Sequence, residues 1–433
     1  VTRNDPIPGI DLADARLYAT TDTDALFADL RREHPVFWHG PKSTEGFWSV
    51  TRHSDAVRVY RDPAAFSAEH GMTIDTVHGG PDPAAGRMLE VTDPPRHTRL
   101  RKVIGSLFTA GAVAALEPEI GRVVRRLLTE VRDADEPFDF VARVSSRMPA
   151  RIAGVLLGLP DEDMDWIAEK TSQVFLSGSV PQVPGGPSPR AVAEQANADL
   201  LGYFAKLIQR RQQSGQGGGL IRQLLSESVN GESLTLPEVM VNSLNLAIAG
   251  TQTTRNTMAG ALSALLRFPA SYQALRDEPE LIPSAVEEAV RWATPVRHVA
   301  RTTIRDVEIG GRSIRAGEPV VVWAYSANRD EEVFRMPHVF DVRRHPNPHL
   351  GFARGTHSCL GAALARLQLR VAIRTLTELF AGGEPAGPPV RTLSNFLAAY
   401  QELPVRLRAA EGSPPGCPAT AEHTVPSTTG AQP

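Results

Sequence analysis

Phe352-Ala353-Arg354-Gly355-Thr356-His357-Ser358-Cys359-Leu360-Gly361 is the stretch on which the reading of this chain turns. It places a cysteine just before an apolar-periodic segment in which Leu364, Leu367 and Val371 recur at helical spacing. A thiolate there feels the positive end of the helix and its unpaired N–H groups. Gly355 and Gly361 let the backbone turn closely around the sulfur and aim donors at it, which lowers thiolate basicity and tunes a bound metal. Taken alone, a cysteine before a helix is more often a small buried apolar residue. The rest of the sequence decides between these readings.

The second cysteine, Cys417, lies in a tail rich in Pro, Ser and Thr. Two cysteines exclude a disulfide framework and any four-cysteine zinc or iron–sulfur site. A chain of 433 residues with 42% apolar and 22% charged residues buries a core without such staples. We expect residues 1–409 to form a single unit and 410–433 a disordered tail. A net charge of −3 argues against a nucleic-acid binder. No stretch approaches the ~18 apolar residues of a membrane span, and Val1–Pro6 offers no signal-peptide core. The expectation is a cytoplasmic monomer with no membrane contact.

Helical spacing predicts helices near 24–33, 54–61, 112–133, 141–158, 161–177, 190–213, 270–277 and 281–293, with a final one over 361–381. The longest, 235–267, opens on Thr235 and Pro237. Strand signals occur at 36–38 and 47–50 and cluster at 299–323. Residues 67–92 read as a long Gly/Pro loop of the kind that lines binding sites. The fold class is mainly α with a small β subdomain, without the β–α alternation of a doubly wound sheet.

The pattern F-x-x-G-x-H-x-C-x-G, followed by Ala363-Leu364-Ala365-Arg366, resembles the haem-binding signature of the cytochrome P-450 superfamily, closest to its soluble bacterial members. Ala353 departs from the glycine usual there, which asks for a slightly different turn. Four further regions agree. Glu288-Ala289-Val290-Arg291 matches the E-x-x-R motif, and Arg344 matches the arginine that completes a buried triad. His97, Arg101, Arg301 and His357 match contacts to the haem propionates, which need buried cations or donors. Ala249-Gly250-Thr251-Gln252-Thr253-Thr254 matches the oxygen-face segment of the long helix: Gly250 leaves space, and the Thr253 hydroxyl can open the helical ladder locally. Gln252 stands where the family has an acid, and glutamine cannot exchange a proton near neutral pH.

The resemblance implies the cytochrome P-450 fold with haem b, Cys359 as axial thiolate, and Phe352 and Gly361 beside the cofactor. It implies a monooxygenase that oxidises a small organic molecule with O2 and two electrons. These would come from NAD(P)H through a ferredoxin reductase and a ferredoxin docking near Arg99, Lys102, Arg354 and Arg366. A peroxide-driven or oxidative-coupling enzyme and a non-catalytic haem sensor are the alternatives; arginine-rich composition and the general likeness suggest bacterial specialised metabolism. The expected substrate pocket comprises Met72, Met88, Leu89, Val91, Phe175, Leu176, Leu246, Ala249, Val296, Arg297, His298, Phe396 and Leu397, an apolar lining with few polar groups.

Overall fold

Thr235 starts the longest helix, Leu236–Arg267, by a reciprocal cap in which its hydroxyl accepts from the Glu238 N–H while its own N–H donates to the Glu238 carboxylate at 2.8 Å. Thirty-two residues make this helix about 48 Å long. Helices Arg147–Leu157, Pro189–Ser214, Ile282–Ala293 and Ala362–Leu379 pack against it. Two apolar clusters flank it. One gathers Leu127, Ile152, Leu262, Val286, Leu367 and Val405; the other gathers Leu157, Phe204, Ile221 and Val239. The computed structural model describes residues 10–40, 45–134, 136–176, 186–215, 218–226, 228–229 and 232–411. The predicted tail falls outside these residues from 412 onward.

A five-stranded sheet sits at one side, in the order Val36–His39, Phe47–Val50, Pro319–Val322, Val299–Thr303 and Phe66–Ser67. Val320 pairs with Trp48 in parallel and with Arg301 in antiparallel register. That register fixes where Arg301 stands. The predicted strands at 36–38, 47–50 and within 299–323 are all present. The C-terminal strands Phe380–Pro385 and Pro404–Ala409 do not follow from sequence pattern. Gly382, Gly383 and Pro385 look like a loop, but Gly382 takes φ 141° at a register shift beside Phe380, an irregularity that glycine permits. Among the described residues no single helix is long and apolar enough to cross a membrane.

The 67–92 segment is anchored rather than loose. The Asn242 side chain on the long helix accepts from the Leu89 N–H at 3.0 Å and donates to the Arg87 carbonyl at 2.8 Å. The Met72 carbonyl accepts from the Ala300 N–H at 2.8 Å. The loop is thereby fastened to both helix and sheet.

Candidate active site

The predicted cysteine loop is built as a tight turn. The Cys359 N–H donates to the Phe352 carbonyl at 2.9 Å, and the Ser358 N–H to the Gly355 carbonyl at 3.1 Å. Gly355 has φ 70°, and a Cβ there would run into the Tyr60 carbonyl, so both its conformation and its contact require glycine. Ala353 keeps φ 52°, a left-handed conformation that costs an L-residue about 1–2 kcal/mol. Alanine thus takes at position 353 a conformation that glycine adopts without strain. Gly361 is the N-cap of the final helix, and its N–H donates to the Cys359 sulfur.

Cys359 has open surface, and it is directed into an internal cavity of about 260 Å³ whose wall it forms. Burial pushes its thiol above the ordinary range, opposed by the Gly361 N–H and by the charges of Arg101 and Arg366. A cation at the sulfur would displace the proton outright. On the long helix, Ala249, Gly250 and Thr253 line the same cavity. A Cβ added at Gly250 would meet nothing within 4 Å, so the cavity keeps open space against the helix backbone. The Thr253 hydroxyl donates to the Ala249 carbonyl at 2.7 Å. Its proton is thus committed to the helix, and its oxygen remains available as an acceptor on the wall.

His97, Arg101, Arg301 and His357 also line the cavity. The two imidazoles stand 4.3 Å apart, centroid to centroid. Both ring nitrogens of His97 and Nε2 of His357 are buried without a partner. Burial and the Arg101 charge push His97 down to about 4; burial and the Arg301 charge push His357 down to about 2. Both are neutral near pH 7, so the arginines carry the positive charge and the histidines offer N–H donors. Tyr60, absent from the sequence reading, adds a buried unpartnered hydroxyl on the same wall. Orphaned donors of this kind require a ligand. A ligand with carboxylates at one edge, lying between a sulfur and an open glycine face, fits them. The residues present fit haem.

Phe352, Gly361, Met72, Leu89, Leu246, Ala249 and Val296 are on the wall as expected. Met88, Val91, Phe175, Phe396 and Leu397 are not among its lining residues. Phe175 stacks on Phe396 with centroids 6.0 Å apart, and both pack with Leu397 behind Val296. The Leu176 side chain lies outside the described residues. Arg297 and His298 do not line the cavity, contrary to expectation. The Arg297 guanidinium lies over Tyr18 and Tyr325, at 4.8 and 5.3 Å. His298 accepts from the Ile74 N–H at 3.2 Å and donates to the Asn395 carbonyl at 3.2 Å. Arg297 thus packs against the N-terminal segment, and His298 ties the 67–92 segment to Asn395.

Gln252 is buried but is likewise absent from the cavity wall. Its amide NH2 donates to Ser172 at 3.2 Å, and its carbonyl oxygen accepts from Arg255 at 3.2 Å. Arg255 also donates to the Ser146 hydroxyl at 2.7 Å and to the Tyr400 carbonyl at 3.1 Å, and burial pulls it down to about 10. The amide satisfies this arginine as a neutral acceptor.

Glu288 and Arg291 are fully buried and form a bidentate pair at 2.7 Å. Glu288 accepts further from Arg344 at 3.0 Å, Asn347 at 3.1 Å and the Asp341 N–H at 3.0 Å. Both arginines donate onward to the carbonyl of Val339; Arg344 also reaches Arg335 and Met336, and Arg291 reaches Asn328 and Pro337. One carboxylate thus organises the irregular segment that precedes the cysteine loop. Of the charges expected at the docking face, Arg99 and Lys102 are exposed, Arg354 is half-buried, and Arg366 pairs with Glu287 at 2.6 Å. Glu287 is held down at about 2, where ion pairing with Arg366 and His349 outweighs burial. Arg366 therefore adds less positive charge to that face than the sequence suggested.

The cytochrome P-450 family profile matches residues 20–398. Cytochrome P-450 NovI of Streptomyces niveus is 34% identical over 92% of this chain and 96% of its own. The methyl-branched lipid omega-hydroxylase of Mycobacterium tuberculosis is 34% identical over 92% and 95%. The crystal structure of P-450 OxyD, involved in the biosynthesis of vancomycin-type antibiotics, superposes with a TM-score of 0.84 at 34% identity, covering 93% of this chain and 100% of that one. A match over most of the sequence joins a fold and a cavity that point the same way: this chain belongs to the cytochrome P-450 family, whose members are haem-thiolate monooxygenases.

Proposed function

We propose that this enzyme uses O2 and two electrons from NAD(P)H, delivered through a ferredoxin reductase and a ferredoxin, to oxidise a small organic molecule of bacterial specialised metabolism. One observation carries the reading: the Cys359 sulfur and the Gly250–Thr253 face of the long helix border one cavity. Haem b, when bound, supplies the activation of O2. In this reading Cys359 holds the metal, and His97, Arg101, Arg301 and His357 hold the propionates. Gly250 keeps space for oxygen. Thr253 offers an acceptor beside it, and Met72, Leu89, Leu246, Ala249 and Val296 exclude water and orient an apolar substrate. Arg99, Lys102 and Arg354 form a basic rim suited to an acidic ferredoxin. Likeness to OxyD, which is involved in the biosynthesis of vancomycin-type antibiotics, supports the biosynthetic setting.

The test is turnover of a substrate found by its shift of the haem absorbance. The proposal expects substrate-dependent NAD(P)H oxidation with ferredoxin, reductase and O2. Equal or faster turnover with hydrogen peroxide alone would favour the peroxide-driven alternative, and no product under either condition would favour a sensor.

A second expectation concerns the missing acid. Gln252→Glu should fold, because the Ser172 hydroxyl can rotate to donate and Arg255 gains a charge-assisted partner. It places an ionisable oxygen one residue from Thr253. We expect the fraction of reducing equivalents recovered in product to change by at least about twofold, roughly 0.4 kcal/mol in the partition. An unchanged yield per NAD(P)H would show that position 252 has no part in proton supply.

A further inference from the structure

The cavity wall carries several cationic or donor groups at its propionate edge, but Glu90 is its single carboxylate among the described residues. It stands between Leu89 and Val91, both expected at the pocket. The three residues form a short 3₁₀ turn in which Leu89 and Val91 are buried, and Leu89 and Glu90 both reach the cavity wall. The turn is fixed to the long helix through Asn242. One helical face then presents Asn245 and Ala249, four residues apart, to the same cavity. The Asn245 amide faces the Glu90 carboxyl and favours its charged form. Burial raises this carboxyl above its usual range, countered by Asn245 and by the charge of Arg301. The same wall also carries the apolar side chains of Met72, Leu246 and Val296.

Resting on the oxygenase reading and naming its substrate class, we propose that Glu90, oriented by Asn245, is a specificity-determining residue that receives a cationic nitrogen of the substrate. The physical reason is the balance of charge. If Arg301 serves a propionate, Glu90 keeps only the neutral Asn245 donor, and a buried carboxyl stays ionised there only beside a cation, which a cationic substrate would supply. Asn245 lies eight residues before Thr253, about 12 Å along the helix axis. That separation keeps the Asn245 end of the wall apart from the Thr253 hydroxyl, which favours recognition over proton supply at Glu90. A substrate bound there would carry its cationic group at one end and present an apolar part to the reactive face.

The test uses the haem-loaded enzyme and two probes of one shape, 4-phenylbutyl-trimethylammonium and its neutral tert-butyl isostere. A quaternary nitrogen cannot ligate iron, so binding by either probe reports the cavity alone. Wild type should bind the cation at least about tenfold more tightly than the neutral probe by calorimetry, which corresponds to 1.4 kcal/mol. Glu90→Gln should bring that ratio to about one, and Asn245→Leu should reduce it. An equal or reversed preference in wild type, or a preference that survives in Glu90→Gln, overturns the assignment and leaves the oxygenase reading standing. A cation preference lost in Glu90→Gln, in an enzyme that forms no product with its electron donors, would uphold the assignment and sink the oxygenase reading instead.

Discussion

Glu288→Ala is expected to lower the unfolding free energy by about 3–5 kcal/mol, because it leaves Arg291 and Arg344 charged and buried without their carboxylate. Against a typical total of about 5–15 kcal/mol, that is a large share of the stability of the whole chain. The loss should appear as a lower denaturant midpoint. It should also reach the cofactor. The two arginines tie down the carbonyls of Asn328, Arg335, Met336, Pro337 and Val339, in the segment that leads into the cysteine loop. Haem occupancy on purification should therefore fall with stability. A destabilisation below about 1 kcal/mol would mean that the arginines find other partners and that the network does not organise the loop.

Cys359→Ser is expected to do the opposite: little to the fold and nearly everything to the chemistry. The Cys359 side chain faces the cavity, and the hydrogen bond that fixes the turn comes from its backbone N–H. Serine keeps that bond and is nearly isosteric, so the unfolding midpoint of the haem-free protein should move by less than about 1 kcal/mol, as for substitutions outside packed contacts. Product formation should fall by at least about 100-fold, since disturbing even the outer partners of a metal ligand costs about 10–100-fold. A variant with near-normal turnover would show that the sulfur is not the ligand.

Legibility followed the range of the interactions. The cysteine loop was readable because its chemistry is local: ten consecutive residues hold the sulfur, the turn glycines and His357. Glu288 and Arg291 were readable because i, i+3 spacing places them on one helical face. The long helix announced itself through its Thr235 cap. Arg297 and His298 were misassigned because their partners lie far away in sequence, at Tyr18 and Ile74; proximity to Val296 in the chain says nothing of which side of the strand each side chain takes. Arg366 looked like a free docking charge because Glu287, its partner, is on another helix. The C-terminal strands were hidden by Gly382, Gly383 and Pro385, whose local signals are those of a loop. Glu90 and Tyr60 were hidden because neither belongs to a pattern; only the cavity brings them to the site.

The most direct test of the account is the absorbance spectrum of the reduced carbon monoxide complex, recorded for wild type and Cys359→Ser side by side. The account predicts a thiolate-type Soret band in wild type and its loss in the serine variant. A thiolate-type band that persists in Cys359→Ser would contradict the assignment of Cys359 as the ligand on which the rest depends.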